Sequence, residues 1–269
     1  MFNNHYFNVK NLLVALALAH GLSLNASAQN DAAIAPTHEQ KDCRALLADR
    51  VFDGFNVHEN AAVIFSGNKI VQVGDQTQLL GVCKHQVDLG DATILPGFIE
   101  SHSHLAIQNI PHEIVLRHGI TTARDTGGPL QKPMGGNGKL RVLSAGPIIQ
   151  AVNGYPLNIF GHGEHNPADK YDAVGIAVET VAEAEKVVED LVAGGATIIK
   201  VALEPGGELG APWMSSHGHG EPPKTPWPLL SLDIVKAIVT KAHALKKRVS
   251  THVGEDTGAP VSQDYGPLG

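Results

Sequence analysis

The sequence predicts an α/β protein, a parallel sheet with crossover helices preceded by a small all-β segment. Three observations predict it. Short strand patterns crowd the stretch over 43–95. After Pro96-Gly97, strand patterns alternate with amphipathic helical ones. The side chains most suited to chemistry sit at the ends of those later strands. The chain has 269 residues, 43% hydrophobic and 17% charged, which suits a protein with a real core. Its net charge is −7 with no block of like charges, which argues against nucleic acid, whose phosphates demand a basic face.

The N-terminus reads as an export signal over 1–28. Lys10 is the only formally charged side chain before Asp31, an apolar run follows over 12–24, and Ala26-Ser27-Ala28 supplies small residues for cleavage. The run is shorter than the roughly 20 residues that span a bilayer. The expectation is a periplasmic or extracellular protein with no membrane segment after cleavage. Residues 29–42 read as a linker. Export also changes how Cys43 and Cys83 read, since an oxidising compartment permits a disulfide between them. Such a loop closure stabilises by roughly 3–4 kcal/mol in the chain-entropy model. Two buried thiols are the alternative, because sequence does not show that the Cα atoms are close.

Over 43–95, strands are expected at 44–52, 61–65, 70–73, 87–89 and 93–95, with Ser66-Gly67-Asn68 as a hairpin-like turn. From 96 to 269 the expected strands are 98–104, 120–123, 140–144, 197–203 and 249–253. Thr180 with Glu183 forms a capping box, and Ala184, Val187, Val188, Leu191 and Val192 share one helical face up to Gly194-Gly195. Ser231 caps a second helix that turns Ile234, Val235, Ile238, Val239, Ala242 and Leu245 inward. Lys246, Lys247 and Arg248 stand near its C-terminus, where positive charge is favoured.

Three features at strand ends carry chemistry. His102 and His104, two apart on a strand, face the same way and can grip one metal ion. Lys200 interrupts the apolar run Ile198-Ile199 and Val201-Ala202. Burial lowers a lysine pKa and frees the neutral amine, which can take up carbon dioxide as a carbamate able to bridge two divalent metals. His252 ends the strand that follows the second helix. A closed parallel barrel would converge all three on one centre. His162 and His165 in a Gly-rich loop are candidates for substrate contact, whereas His217 and His219 read as loop. Gly135-Gly136-Asn137-Gly138-Lys139 lacks the first glycine of a phosphate loop, because Pro133 stands there.

These residues resemble the amidohydrolase superfamily. Leu95-Pro96-Gly97-Phe98-Ile99-Glu100-Ser101-His102-Ser103-His104-Leu105 is similar to its first barrel strand. Gly119-Ile120-Thr121-Thr122-Ala123-Arg124-Asp125-Thr126-Gly127-Gly128 resembles the second strand of the imidazolonepropionase- and prolidase-like branch. Gly195-Ala196-Thr197-Ile198-Ile199-Lys200 resembles the fourth strand, and Ala242-His243 with Val249-Ser250-Thr251-His252 the fifth. Val51-Phe52-Asp53-Gly54 and Ile70-Val71-Gln72-Val73-Gly74 match the preceding β-segment.

The resemblance implies a (β/α)8 TIM-type barrel, here partial with about five strands, preceded by a small β-sandwich. It implies hydrolysis of amide or peptide-like C–N bonds by a metal-activated water, with a small-molecule or dipeptide-like substrate. By that resemblance His102 and His104 hold one divalent ion, Lys200 as N6-carboxylysine bridges, and His252 holds a second. Zinc is the default for such a histidine-rich site, with one or two ions. Glu100 stands where the family usually has aspartate. The catalytic aspartate of the family's eighth strand has no counterpart here, because the residues from 96 onward fall short of the roughly 200–250 of a full barrel. Truncation is therefore expected, with a non-catalytic remnant that binds metal or a partner as the alternative.

Overall fold

Alternation of small apolar residues along the first strands builds the N-terminal layer. The computed structural model describes residues 41–161, 168–206 and 226–253. β1 (Lys41–Phe52), β2 (Val57–Ser66), β3 (Lys69–Asp75), β4 (Cys83–Asp88) and β5 (Thr93–Ile94) form one sheet ordered β3-β2-β1-β4, with β5 also pairing with β1. The β1–β2 turn is organised by Asp53, whose carboxylate accepts the Phe55 and Asn56 N–H groups and meets the His58 ring. One face buries Cys43, Ala45 and Leu47 against Ala62, Ile64 and Leu79. Leu79 comes from α1 (Gln76–Leu79), whose first turn is capped by Asp75. A disulfide joins Cys43 to Cys83 with Cα atoms 5.0 Å apart, stapling β1 to β4. β3 leaves Ile70 and Val71 exposed, and the second sheet of a sandwich is not among the described residues.

The remaining elements are β6 (Phe98–Ser103), α2 (His112–Arg117), β7 (Ile120–Asp125), β8 (Met134–Gly136), β9 (Lys139–Ser144), β10 (Ile148–Ala151), α3 (Leu157–Phe160), β11 (Gly175–Val178), α4 (Val181–Gly194), β12 (Ile199–Leu203), α5 (Leu232–Ala244) and β13 (Val249–Val253). They pair as two four-stranded sheets, β6-β7-β9-β8 and β11-β10-β12-β13. The Ala145 N–H extends the β7–β9 ladder to the Asp125 carbonyl, and the Thr197 N–H bridges to the second sheet by donating to the Ser144 carbonyl. β6, β7, the β9–β10 segment, β12 and β13 thus follow one another in chain order with parallel pairing, the arrangement of successive barrel strands. The barrel is not closed among the described residues.

Two departures from the expected rhythm stand out. No helix separates β7 from β9, because β8 turns back antiparallel on β9 through Gly135 to Gly138. A Cβ at Gly135 would fall 1.8 Å from the Leu140 carbonyl, so this hairpin requires glycine there. β10 and β11 were not expected either. β10 is only four residues long and buried throughout, too short and too uniform for a period to show.

The main core lies between the second sheet and its helices. α4 has the full Thr180–Glu183 capping box and ends on Gly195 in the left-handed region. Its Ala184, Val187, Val188 and Leu191 pack with Ile234, Val235, Ile238 and Ala242 of α5 over β10 and β12. Leu245, expected inward, is 37% exposed because the helix has already ended at that residue. Among the described residues no helix is long and apolar enough to cross a membrane. The export signal over 1–28 lies outside the described residues.

Candidate functional site

The C-terminal end of β6 is clamped by the end of β7. Ser103 donates its hydroxyl to the Arg124 carbonyl at 2.8 Å, and the Thr126 N–H donates to the Ser103 carbonyl at 2.9 Å. The buried Asp125 carboxylate accepts the N–H groups of Leu105 and Ala106 at 3.1 and 3.0 Å. Desolvation raises the Asp125 pKa. These contacts fix the turn from which His102 and His104 project. Their rings meet edge to face with centroids 5.3 Å apart.

On β12 and β13 the register does the placing. Lys200 pairs with Ser250 and Ala202 with His252. Parallel partners share a face and alternate residues return to it, so Lys200 and His252 belong to one face of the sheet. All five residues of β12 are buried, and Lys200 is 1% exposed. Burial alone pushes its pKa down to about 8, so the neutral amine is within reach near physiological pH.

The three histidines line one cavity of about 500 Å³, a volume typical of small-molecule sites. Burial, then the charge of His102 and that of Lys200, depress His104 to about 4. His102 is lowered by burial and then by Lys200. Both rings are therefore neutral at neutral pH, the state in which imidazole binds metal. The Nδ1 of His104 is buried without a geometric hydrogen-bond partner, although the Gly127 backbone is near enough to the ring to oppose the lowering of its pKa. These donors fit a divalent cation. The set is incomplete as a cage, however. Among the described residues no three His, Cys, Asp or Glu side chains are grouped closely enough to hold a metal.

The structure thus brings His102, His104 and His252 to one cavity, with the charge of Lys200 acting on both His102 and His104. His162, His165, His217 and His219 lie outside the described residues. Three participants were not anticipated. Glu204, 3% exposed, stands one residue past β12 with its carboxylate 3.2 Å from His252 Nε2. Tyr155 packs its ring 4.7 Å from the His252 ring, and burial followed by the Glu204 charge pushes its pKa up to about 12. Gln150, 1% exposed, is an interior amide that organises the loop carrying Tyr155. A buried polar residue inside an apolar run, as at Gln150 and Glu204, was the only available signal.

No family model matches the chain. An imidazolonepropionase of Cutibacterium acnes is 44% identical over 45 residues, 17% of this chain and 11% of that protein. Two solved structures share the fold at low identity. A Xaa-Pro dipeptidase with methionine bound in its active site gives a TM-score of 0.57 at 19% identity, over 79% of this chain and 57% of its own. An amidohydrolase gives 0.55 at 20% identity, over 78% and 56%. This chain therefore spans little more than half the length of those structures. What these likenesses show is a shared fold.

Proposed function

We propose that this site belongs to a metal-dependent hydrolase of amide or peptide-like C–N bonds, with a dipeptide-like substrate. The observation that carries the reading is the convergence of neutral imidazoles and a buried, pKa-lowered lysine on one end of a parallel sheet. His102 and His104 would hold one divalent ion, His252 a second, and Lys200 would stand between them. The ammonium of Lys200 would first lose one proton, and the neutral amine would then add to carbon dioxide, forming an N–C bond and releasing a second proton, to leave a carbamate anion able to help hold divalent cations. The chemistry a bound divalent cation supplies is Lewis acidity and activation of water for attack on a carbonyl. Zinc is the ion the donor types favour. Glu204 holds His252 in place, and the clamp at Asp125 holds the turn after His104. The dipeptidase-like fold neighbour supports the substrate class.

Metal analysis tests the site. The purified chain holds zinc or a similar ion after dialysis, and His102→Ala lowers the occupancy; unchanged occupancy in that variant rejects the site. A panel of small amides and dipeptides tests the activity, which a chelator abolishes and zinc restores. The barrel left open among the described residues favours a second reading, a non-catalytic remnant. Chelator-sensitive hydrolysis by the purified chain would eliminate that alternative.

A further inference from the structure

Beside the imidazoles, part of the cavity lining is apolar. It is formed by Ile107 after β6, Ile148 at the start of β10, Tyr155 and Phe160 around α3, and Val174 before β11. Tyr155 is the centre of an aromatic group. Its ring is parallel to that of Trp227, with planes 7° apart and centroids 6.0 Å apart, and meets Phe160 edge-on at 6.0 Å. The segment carrying it is held from both sides. Gln150 donates to the Ala151 and Gly154 carbonyls and accepts the Leu157 N–H. A Cβ at Gly154 would fall 2.7 Å from the Pro228 carbonyl, so glycine there lets this loop close onto the segment bearing Trp227. Among the described lining residues there is no Asp, Glu, Lys or Arg.

A preformed, uncharged aromatic wall rewards a group that loses little hydration and gains ring contacts. A carboxylate entering it would lose water and meet the like charge of Glu204, which already acts on Tyr155. We propose that this wall is a specificity pocket for an aromatic or large apolar side chain next to the scissile bond, with Tyr155 and Phe160 as the specificity-determining residues. The identity of the bond rests on the hydrolase reading above; the preference for the side chain rests on the cavity itself.

The test uses the full 269-residue chain. Binding of N-acetyl-phenylalanine, N-acetyl-leucine, N-acetyl-glycine and N-acetyl-aspartate is measured by calorimetry. Hydrolysis of the matching dipeptides is followed in parallel. The phenylalanine ligand binds roughly tenfold more tightly than the glycine one, and the aspartate ligand more weakly than either. Phe160→Ala brings the phenylalanine-to-glycine ratio to within about threefold. Equal binding across the series on the unaltered chain, or preference for aspartate, overturns the proposal whatever the variant does. Preference in binding with no dipeptide hydrolysed sinks the hydrolase reading and leaves the pocket standing. Hydrolysis at equal kcat/KM across the series does the reverse.

Discussion

Two side chains in the site resist protonation, and the molecule's stability should show it. His104 has a folded pKa near 4 against an ordinary value of 6.5, because burial disfavours the cation. The unfolded chain binds the extra proton first, so stability falls as pH drops from about 6.5 to about 4 and levels off below that. In metal-free buffer, His104→Gln should flatten this part of the pH profile in urea unfolding. Lys200 behaves alike at higher pH. Its pKa is lowered from 10.5 to about 8, so the penalty of the buried ammonium is constant below 8 and disappears as pH rises to 10.5. Lys200→Met keeps the bulk and removes the charge. It should stabilise the metal-free chain by roughly 1–3 kcal/mol at pH 7, with no gain at pH 11, and should lower metal retention. Destabilisation at both pH values would show that Lys200 is held by more than packing.

The elements that position these residues are stabilised in ordinary ways. Thr180 and Glu183 satisfy each other's backbone donors at the start of α4, the helix that covers β10 and β12. Thr180→Ala should cost about 1 kcal/mol in urea unfolding, since one N–H loses its acceptor. It should leave ligand binding intact, because α4 lines no part of the cavity. The elements that escaped sequence reading are the ones without a period. α4 and α5 repeat their apolar residues at helical spacing and show their caps, so their faces were legible. β13 was legible to the residue, being a short β-branched stretch, with His252 in it, just after a basic helix end. β10 is buried on both faces, and β8 exists only because a glycine turn folds it onto β9. Neither carries a local pattern that distinguishes strand from loop.

At the scale of the whole molecule, the disulfide ties the first strand of the N-terminal sheet to its fourth across 40 residues of sequence. Reduction should lower stability by roughly 3–4 kcal/mol in the chain-entropy model. The comparison of melts with and without reductant checks it, and no change would mean that the unfolded loop is already compact. The sheet edge at β6 offers a second expectation. Phe98 is 56% and Ile99 71% exposed there. Exposed apolar residues on a strand edge invite pairing with another copy. Ile99→Lys should reduce concentration-dependent association in sedimentation, and an unchanged profile would remove the edge from consideration.

Local spacing alone determined the α/β class, the capped helices, the direction of the later strands, and the four candidate donors at strand ends. It could do so because period and capping are properties of neighbours in the chain. Tertiary structure decided which of those donors share a cavity, that Glu204 stands against His252, and that Tyr155 builds an aromatic wall beside it. These relations join residues about 50 to 150 positions apart, through sheet register and loop closure. No local pattern encodes them, because register is settled only when distant strands compete to bury the same faces.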